Sequence, residues 1–152
     1  MPSGTSRTAG PRARARRWGR FPTTADVGIW ATGPTDAELF EALGLGLFSL
    51  ITEVGRVRPT EERAVSASAS DPPALVVAYL SELLMLEARD RFVVREIHAR
   101  PIGRPPTAII ASVRGEAFDP ARHPARTEVK AVTFHGLVLD LERGRARVIV
   151  DI

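Results

Sequence analysis

Two aspartates and one lysine carry the clearest chemical potential in this 152-residue chain. Asp26 follows Thr23-Thr24-Ala25 at the entry to an apolar run, and Asp151 is the penultimate residue, directly before Ile152 and its α-carboxylate. If the run beginning at Val27 lies beside the C-terminal run, three carboxylates converge and repel one another unless a cation neutralises them. All-oxygen, anionic ligation suits a hard divalent ion, calcium or magnesium. The competing reading makes both aspartates ordinary strand-end residues. Lys130 is the only lysine among 21 basic residues. Ammonium and guanidinium differ in shape, hydration and pKa, so this lysine either does what an arginine cannot or is simply a half-buried strand residue. His98, His123 and His135 are scattered over separate stretches, which suits structural hydrogen bonding better than catalysis.

Several chemistries are excluded outright. The chain has no cysteine, so disulfides, thiolate metal sites, iron–sulfur clusters and cysteine nucleophiles are ruled out. It contains no Walker loop, GxGxxG turn, GxSxG elbow, HExxH pair or EF-hand loop. The longest apolar run, Ala74 to Leu80, is far short of the roughly 20 residues that span a bilayer. These features, with no export signal, predict a soluble, cytoplasmic protein.

The net charge of +3 conceals an asymmetry: residues 1–20 hold six arginines and no acid, which leaves −3 on residues 21–152. The first twenty residues have little to bury and read as a disordered basic tail. The folded unit is expected over 21–152. Its negative charge and few aromatics argue against a nucleic-acid module built on the body, so such a module would use the arginine tail.

The elements that must position the candidate residues follow from periodicity and caps. Val27 to Thr32 reads as a strand. Thr35 and Glu38 form a capping-box pattern ahead of Leu39, Leu43, Leu47 and Leu50, whose spacing lays them on one helical face. Gly44 and Gly46 inside that helix point to close packing against neighbours. Arg63 to Ser70 reads as a strand, and Asp71-Pro72 opens a second helix running to about Ala88. Strands follow over Phe92–Arg100, Thr107–Glu116, Val129–Leu141 and Arg145–Asp151. The order predicts an α+β fold, a largely antiparallel sheet with two main helices packed on it. A two-residue turn at Arg143-Gly144 would set Glu142 opposite Arg145 and Asp140 opposite Arg147. That register also sets Gly136 opposite Asp151 and His135 opposite Ile152.

TTADVGI (23–29), YLSELL (79–84), GEAFDPARHP (115–124), TEVKAVTFHGL (127–137) and the terminal VIVDI (148–152) occur in the order and spacing of the archease family, which the chain resembles over about 21–152. The resemblance implies an archease-like fold and a protein with no reaction of its own. It would activate a GTP-dependent RNA ligase in tRNA splicing and RNA repair, promoting ligase guanylylation and repeated turnover. It also implies a metal site, most simply for calcium, at Asp26, Asp151 and Ile152. Lys130, His135 and Glu128 are the expected supporting residues, and RNA is expected to be met through the ligase. The family usually has histidine where this chain has Thr23, which leaves the metal ligands intact but removes an imidazole. A tail-borne nucleic-acid module and a metal-dependent enzyme remain the alternatives.

Overall fold

The computed structural model describes residues 16–152. The strands are β1 (Trp18–Pro22), β2 (Val27–Thr32), β3 (Glu61–Ser68), β4 (Phe92–Ile102), β5 (Ala108–Ala117), β6 (Ala131–Val132), β7 (Val138–Asp140) and β8 (Arg145–Asp151). Two helices accompany them, α1 (Asp36–Ile51) and α2 (Pro72–Asp90). Most of the expected basic tail, 1–15, lies outside the described residues. Trp18–Arg20, grouped with that tail by composition, instead pair with β2.

The sheet predicted as one is two. β1-β2-β8-β6 form one sheet, with β7 also on β8, and β3-β5-β4 form the other; every described pairing is antiparallel. Helix α1 joins them, touching β1 and β2 on one side and β4 on the other. Thr35 caps it by accepting the Glu38 N–H at 3.1 Å, and Leu39, Leu43, Leu47 and Leu50 are completely buried. Its glycines admit this double packing. A Cβ on Gly44 would meet Ile97 and the Tyr79 hydroxyl, and one on Gly46 would meet Ile29 and Trp18.

Helix α2 is capped by Asp71, whose carboxylate accepts the Ala74 N–H at 2.9 Å. It ends at Arg91 in the left-handed region, φ 54°. Fully buried Tyr79 satisfies its hydroxyl by donating to the Phe40 carbonyl at 3.0 Å. Burial, then the charge of Glu41, pushes the Tyr79 phenol far above its ordinary range, so it stays a neutral donor.

The C-terminal hairpin departs from the expected register by two residues. Asp140 faces Arg145 and Val138 faces Arg147, so the turn spans four residues, Leu141–Gly144. The Asp140 carboxylate accepts the Arg143 N–H at 3.0 Å and binds its guanidinium at 3.0 Å, contacts that hold the carboxyl below its usual range. A local Asx contact therefore outweighs the cross-strand charge pairs that favoured the shorter turn. Because side chains alternate with period two, the shift leaves the buried face unchanged.

Gly144 closes this turn at φ +62°, and the Gly33 carbonyl occupies the place a Cβ would take. The Gly33 N–H donates to the Gly144 carbonyl at 3.0 Å. Gly144→Ala is expected to cost on the order of 2 kcal/mol in urea unfolding, from strain and collision together. Arg143→Ala, which loses only exposed contacts, should cost well under half of that.

Candidate metal centre at the end of the five-stranded sheet

The start of β2, the end of β8 and the start of β6 meet at one end of the larger sheet. The ladder between β2 and β8 reaches Val27 opposite Val150, and its continuation by one step would set Asp26 opposite Asp151. A tight turn fixes Asp26 from the β1 side: its N–H donates to Thr23 Oγ1 at 2.9 Å, and the Thr23 N–H donates to the Asp26 carbonyl at 3.4 Å. Thr23, in the family's histidine position, thus shapes the loop that presents the aspartate. From the other side the Lys130 N–H donates to the Asp151 carbonyl at 2.7 Å, and Ala131 faces Asp151.

Alternation assigns the face. Val148 and Val150 are buried, as are Ile29 and Ala31, so Asp151 and Asp26 both belong to the face opposite the core. Two carboxylates opposed across neighbouring strands destabilise a sheet unless something positive sits between them. Asp26 is half-buried, and Asp151, Ile152 and Lys130 are exposed, so the place is open to solvent and to a partner. The available donors are hard carboxylate oxygens, which fit calcium or magnesium. Among the described residues no three His, Cys, Asp or Glu side chains are grouped for a metal. The third expected ligand, Ile152, is exposed and adjoins Asp151 at the end of β8.

The other expected residues fall into two groups. Lys130 adjoins the aspartates through its backbone. His135 does not: the register between β6 and β8 slips before β7, and residues 133–137 form a turn, exposed at Phe134, His135 and Gly136 and closed by Leu137 N–H on the Phe134 carbonyl at 3.2 Å. Gly136, at φ +65°, lies over Ile149 rather than Asp151. Exposed Glu128 lines a separate cleft of about 380 Å³ with Arg91 and Arg126, beside the end of α2.

Sequence reasoning missed a buried polar lock. Glu116 Oε1 accepts from the Arg122 guanidinium at 2.6 Å, and Oε2 accepts the Arg58 N–H at 2.9 Å. The ring of His123, only 1 % exposed, accepts the Asp119 N–H on Nδ1 at 2.8 Å, so its proton lies on Nε2 and is given to Glu116 Oε2 at 2.8 Å. Both ring nitrogens are thereby used structurally. The Arg122 hydrogen bond first, against the opposing effect of burial, and then the Arg58 and His123 bonds, lower the Glu116 carboxyl from 4.5 to about 2. The only sequence signal was an acid six and seven residues before Arg122 and His123 within GEAFDPARHP.

The model of the Archease protein family (MTH1598/TM1083) matches residues 18–152. The chain belongs to the archease family. Protein archease of Thermococcus gammatolerans is 35% identical over 127 residues, which cover 82% of this chain and 89% of that protein. Among solved structures, protein 1598 of Methanobacterium thermoautotrophicum superposes with a TM-score of 0.74 at 28% identity, covering 91% of this chain and 100% of the other. An archease from Thermotoga maritima, described as a possible chaperone, gives 0.59 at 18% identity over 87% and 94% of the two chains, a likeness of fold. The α+β reading and the family resemblance are thus both borne out. Three of the archease-like segments, TTADVGI, TEVKAVTFHGL and VIVDI, meet at the sheet end that carries Asp26 and Asp151, and a fourth, GEAFDPARHP, builds the Glu116 lock. No helix among the described residues is long and apolar enough to cross a membrane.

Proposed function

We propose that this chain is a divalent-cation-dependent activator of a GTP-dependent RNA ligase, acting in tRNA splicing and RNA repair without a reaction of its own. The observation that supports this reading is the pairing of Val27 with Val150, which leaves Asp26 and Asp151 at the neighbouring ends of two strands, within three segments of archease character. Asp26, Asp151 and the carboxylate of Ile152 hold the ion, calcium before magnesium because irregular oxygen geometry suits it. The bound ion supplies a hard positive charge to oxygen atoms of the ligase. Thr23 holds Asp26 in place, and the backbone of Lys130 holds the Asp151 strand end. The exposed Lys130 ammonium is then free to donate to the ligase.

The test is guanylylation of the purified ligase with GTP, with and without this chain, across a calcium titration. Stimulation that rises with calcium supports the reading, and a ligase unaffected at every calcium level overturns it. Lys130→Arg should fold with unchanged unfolding temperature, because charge and stem length are nearly kept. It should nevertheless lower stimulation roughly tenfold, since a fork-shaped head misplaces the hydrogen bonds of a compact ammonium. Equal stimulation by this variant would make Lys130 merely structural.

A further inference from the structure

The face of the larger sheet opposite the helices carries a second feature, two rows along the strands from the aspartates. Across β1, β2, β8 and β7 one row reads Gly19, Trp30, Arg147, Val138, and the next row towards the aspartates begins with Phe21 and Gly28. Two glycines in this face are covered by rings from the neighbouring strand. A Cβ on Gly19 would lie 2.5–2.7 Å from three atoms of the Trp30 indole, and one on Gly28 would strike the Phe21 ring. Both rings therefore lie across the sheet backbone, each with its second face turned outwards.

The Arg147 guanidinium occupies that outer face of Phe21, 4.0 Å from the ring centre. Among the described residues no guanidinium covers Trp30 in this way. Its side chain instead lines a cavity of about 320 Å³ whose other walls include Val138, Asp140, Arg145 and Arg147. Among the described residues neither Arg145 nor Arg147 forms an ion pair, while nearby Asp140 is committed to Arg143. The site thus offers a π-face, an apolar wall and two guanidiniums, one resting on Phe21, beside a single carboxylate already held by Arg143.

From this we infer that the Trp30–Arg147 cavity binds single-stranded RNA directly, stacking one base on Trp30 and holding adjacent phosphates with Arg145 and Arg147. Stacking on aromatic and guanidinium planes is how unpaired bases are held, and two exposed arginines on neighbouring positions of one face favour phosphate over a basic or neutral protein surface. The inference rests on the RNA-ligase reading and changes it in one respect: RNA meets this chain on the folded body, not only through the ligase. Composition argued against such a surface because aromatics are few and the body is acidic. The fold gathers two of those rings and two arginines on one face, which composition does not register.

The test uses the full-length chain and a fluorescein-labelled, unstructured eight-nucleotide RNA. In a Trp18→Phe background Trp30 is the only tryptophan, and its fluorescence should be quenched on adding RNA but not inorganic polyphosphate, which has charge without bases. Trp30→Leu should weaken RNA binding about tenfold. Arg145→Gln with Arg147→Gln, which leaves the ring in place, should reduce the slope of log affinity against log salt by about 1.4, near 0.7 per lost phosphate contact. Unchanged affinity and slope in these variants would assign RNA binding to the arginines before residue 18 and overturn the inference. RNA-free guanylylation separates the two readings. Variants that still stimulate it while losing RNA support the inference, whereas variants that lose it while keeping RNA affinity make this face a ligase contact and overturn it.

Discussion

Glu116→Ala should lower stability by on the order of 3 kcal/mol, about 10 °C in unfolding temperature for a chain of this length. The substitution removes the acceptor for three donors at once: the Arg122 guanidinium, the Arg58 N–H and the Nε2–H of His123. Fully buried His123 is left with no partner on Nε2, and a buried donor without an acceptor carries its whole desolvation penalty. The effect of acid follows from the same contacts. Because the folded carboxyl is lowered from 4.5 to about 2, its stabilisation is complete above pH 4.5 and is lost as pH falls from there towards 2. Glu116→Gln should flatten this limb of the stability profile, and urea unfolding at pH 7, 4 and 3 reads both effects. An unchanged acid limb in Glu116→Gln would assign the acid sensitivity to other carboxylates.

The cation site gives the other large effect. At calcium a hundredfold above its dissociation constant, binding to the folded state alone adds about 2.7 kcal/mol. For this chain length that is roughly 8 °C in unfolding temperature. Asp26→Asn and Asp151→Asn should each abolish most of that rise. In the absence of calcium neither should lower the unfolding temperature, and either could raise it, because the opposed charges across β2 and β8 are then relieved. That inverted dependence marks a binding site rather than a structural ion pair. Both variants should also lose calcium-dependent stimulation of ligase guanylylation. A variant that melts lower with and without calcium would be a folding defect and would remove its aspartate from the proposed ligand set.

Much of the framework was legible locally. The leucine spacing and Thr35 cap of α1, the Asp71-Pro72 opening of α2 and the run of β5 each depend on residues close in sequence, and all stand as expected. What required distant partners was less visible. Nothing local separates the strands into two sheets, because the division arises from α1 packing between them through Gly44 and Gly46. The C-terminal register failed through a contact between Asp140 and a backbone N–H three residues on, a competitor that charge pairing alone does not reveal. His135 was misplaced by a second break, the turn that separates β6 from β7 within a stretch that reads as one strand.

The candidate metal residues were legible only conditionally. Asp26 and Asp151 are 125 positions apart, and their meeting depends on β2 choosing β8 as its neighbour. The position of Asp151 raised the question, and non-local pairing brings the ends of the two strands together. The Glu116 lock lacked even that cue, since one of its donors is the backbone of Arg58, on the far side of both α2 and β4 in sequence. Trp30 and Arg147 likewise read as strand residues until the register put them in one row.

Titration calorimetry of calcium into the full chain, compared with the same chain extended by two glycines after Ile152, tests the cation site most directly. The extension moves the terminal carboxylate by up to about 7 Å, at up to 3.6 Å per residue, and leaves every side chain unchanged. The expected result is stoichiometric calcium binding to the parent chain and at least a tenfold loss of affinity in the extended one, with a matching loss of ligase stimulation. Equal calcium affinity in the two chains would contradict ligation by the Ile152 carboxylate, and a parent chain that binds no calcium or magnesium would contradict the cation-dependent mechanism itself.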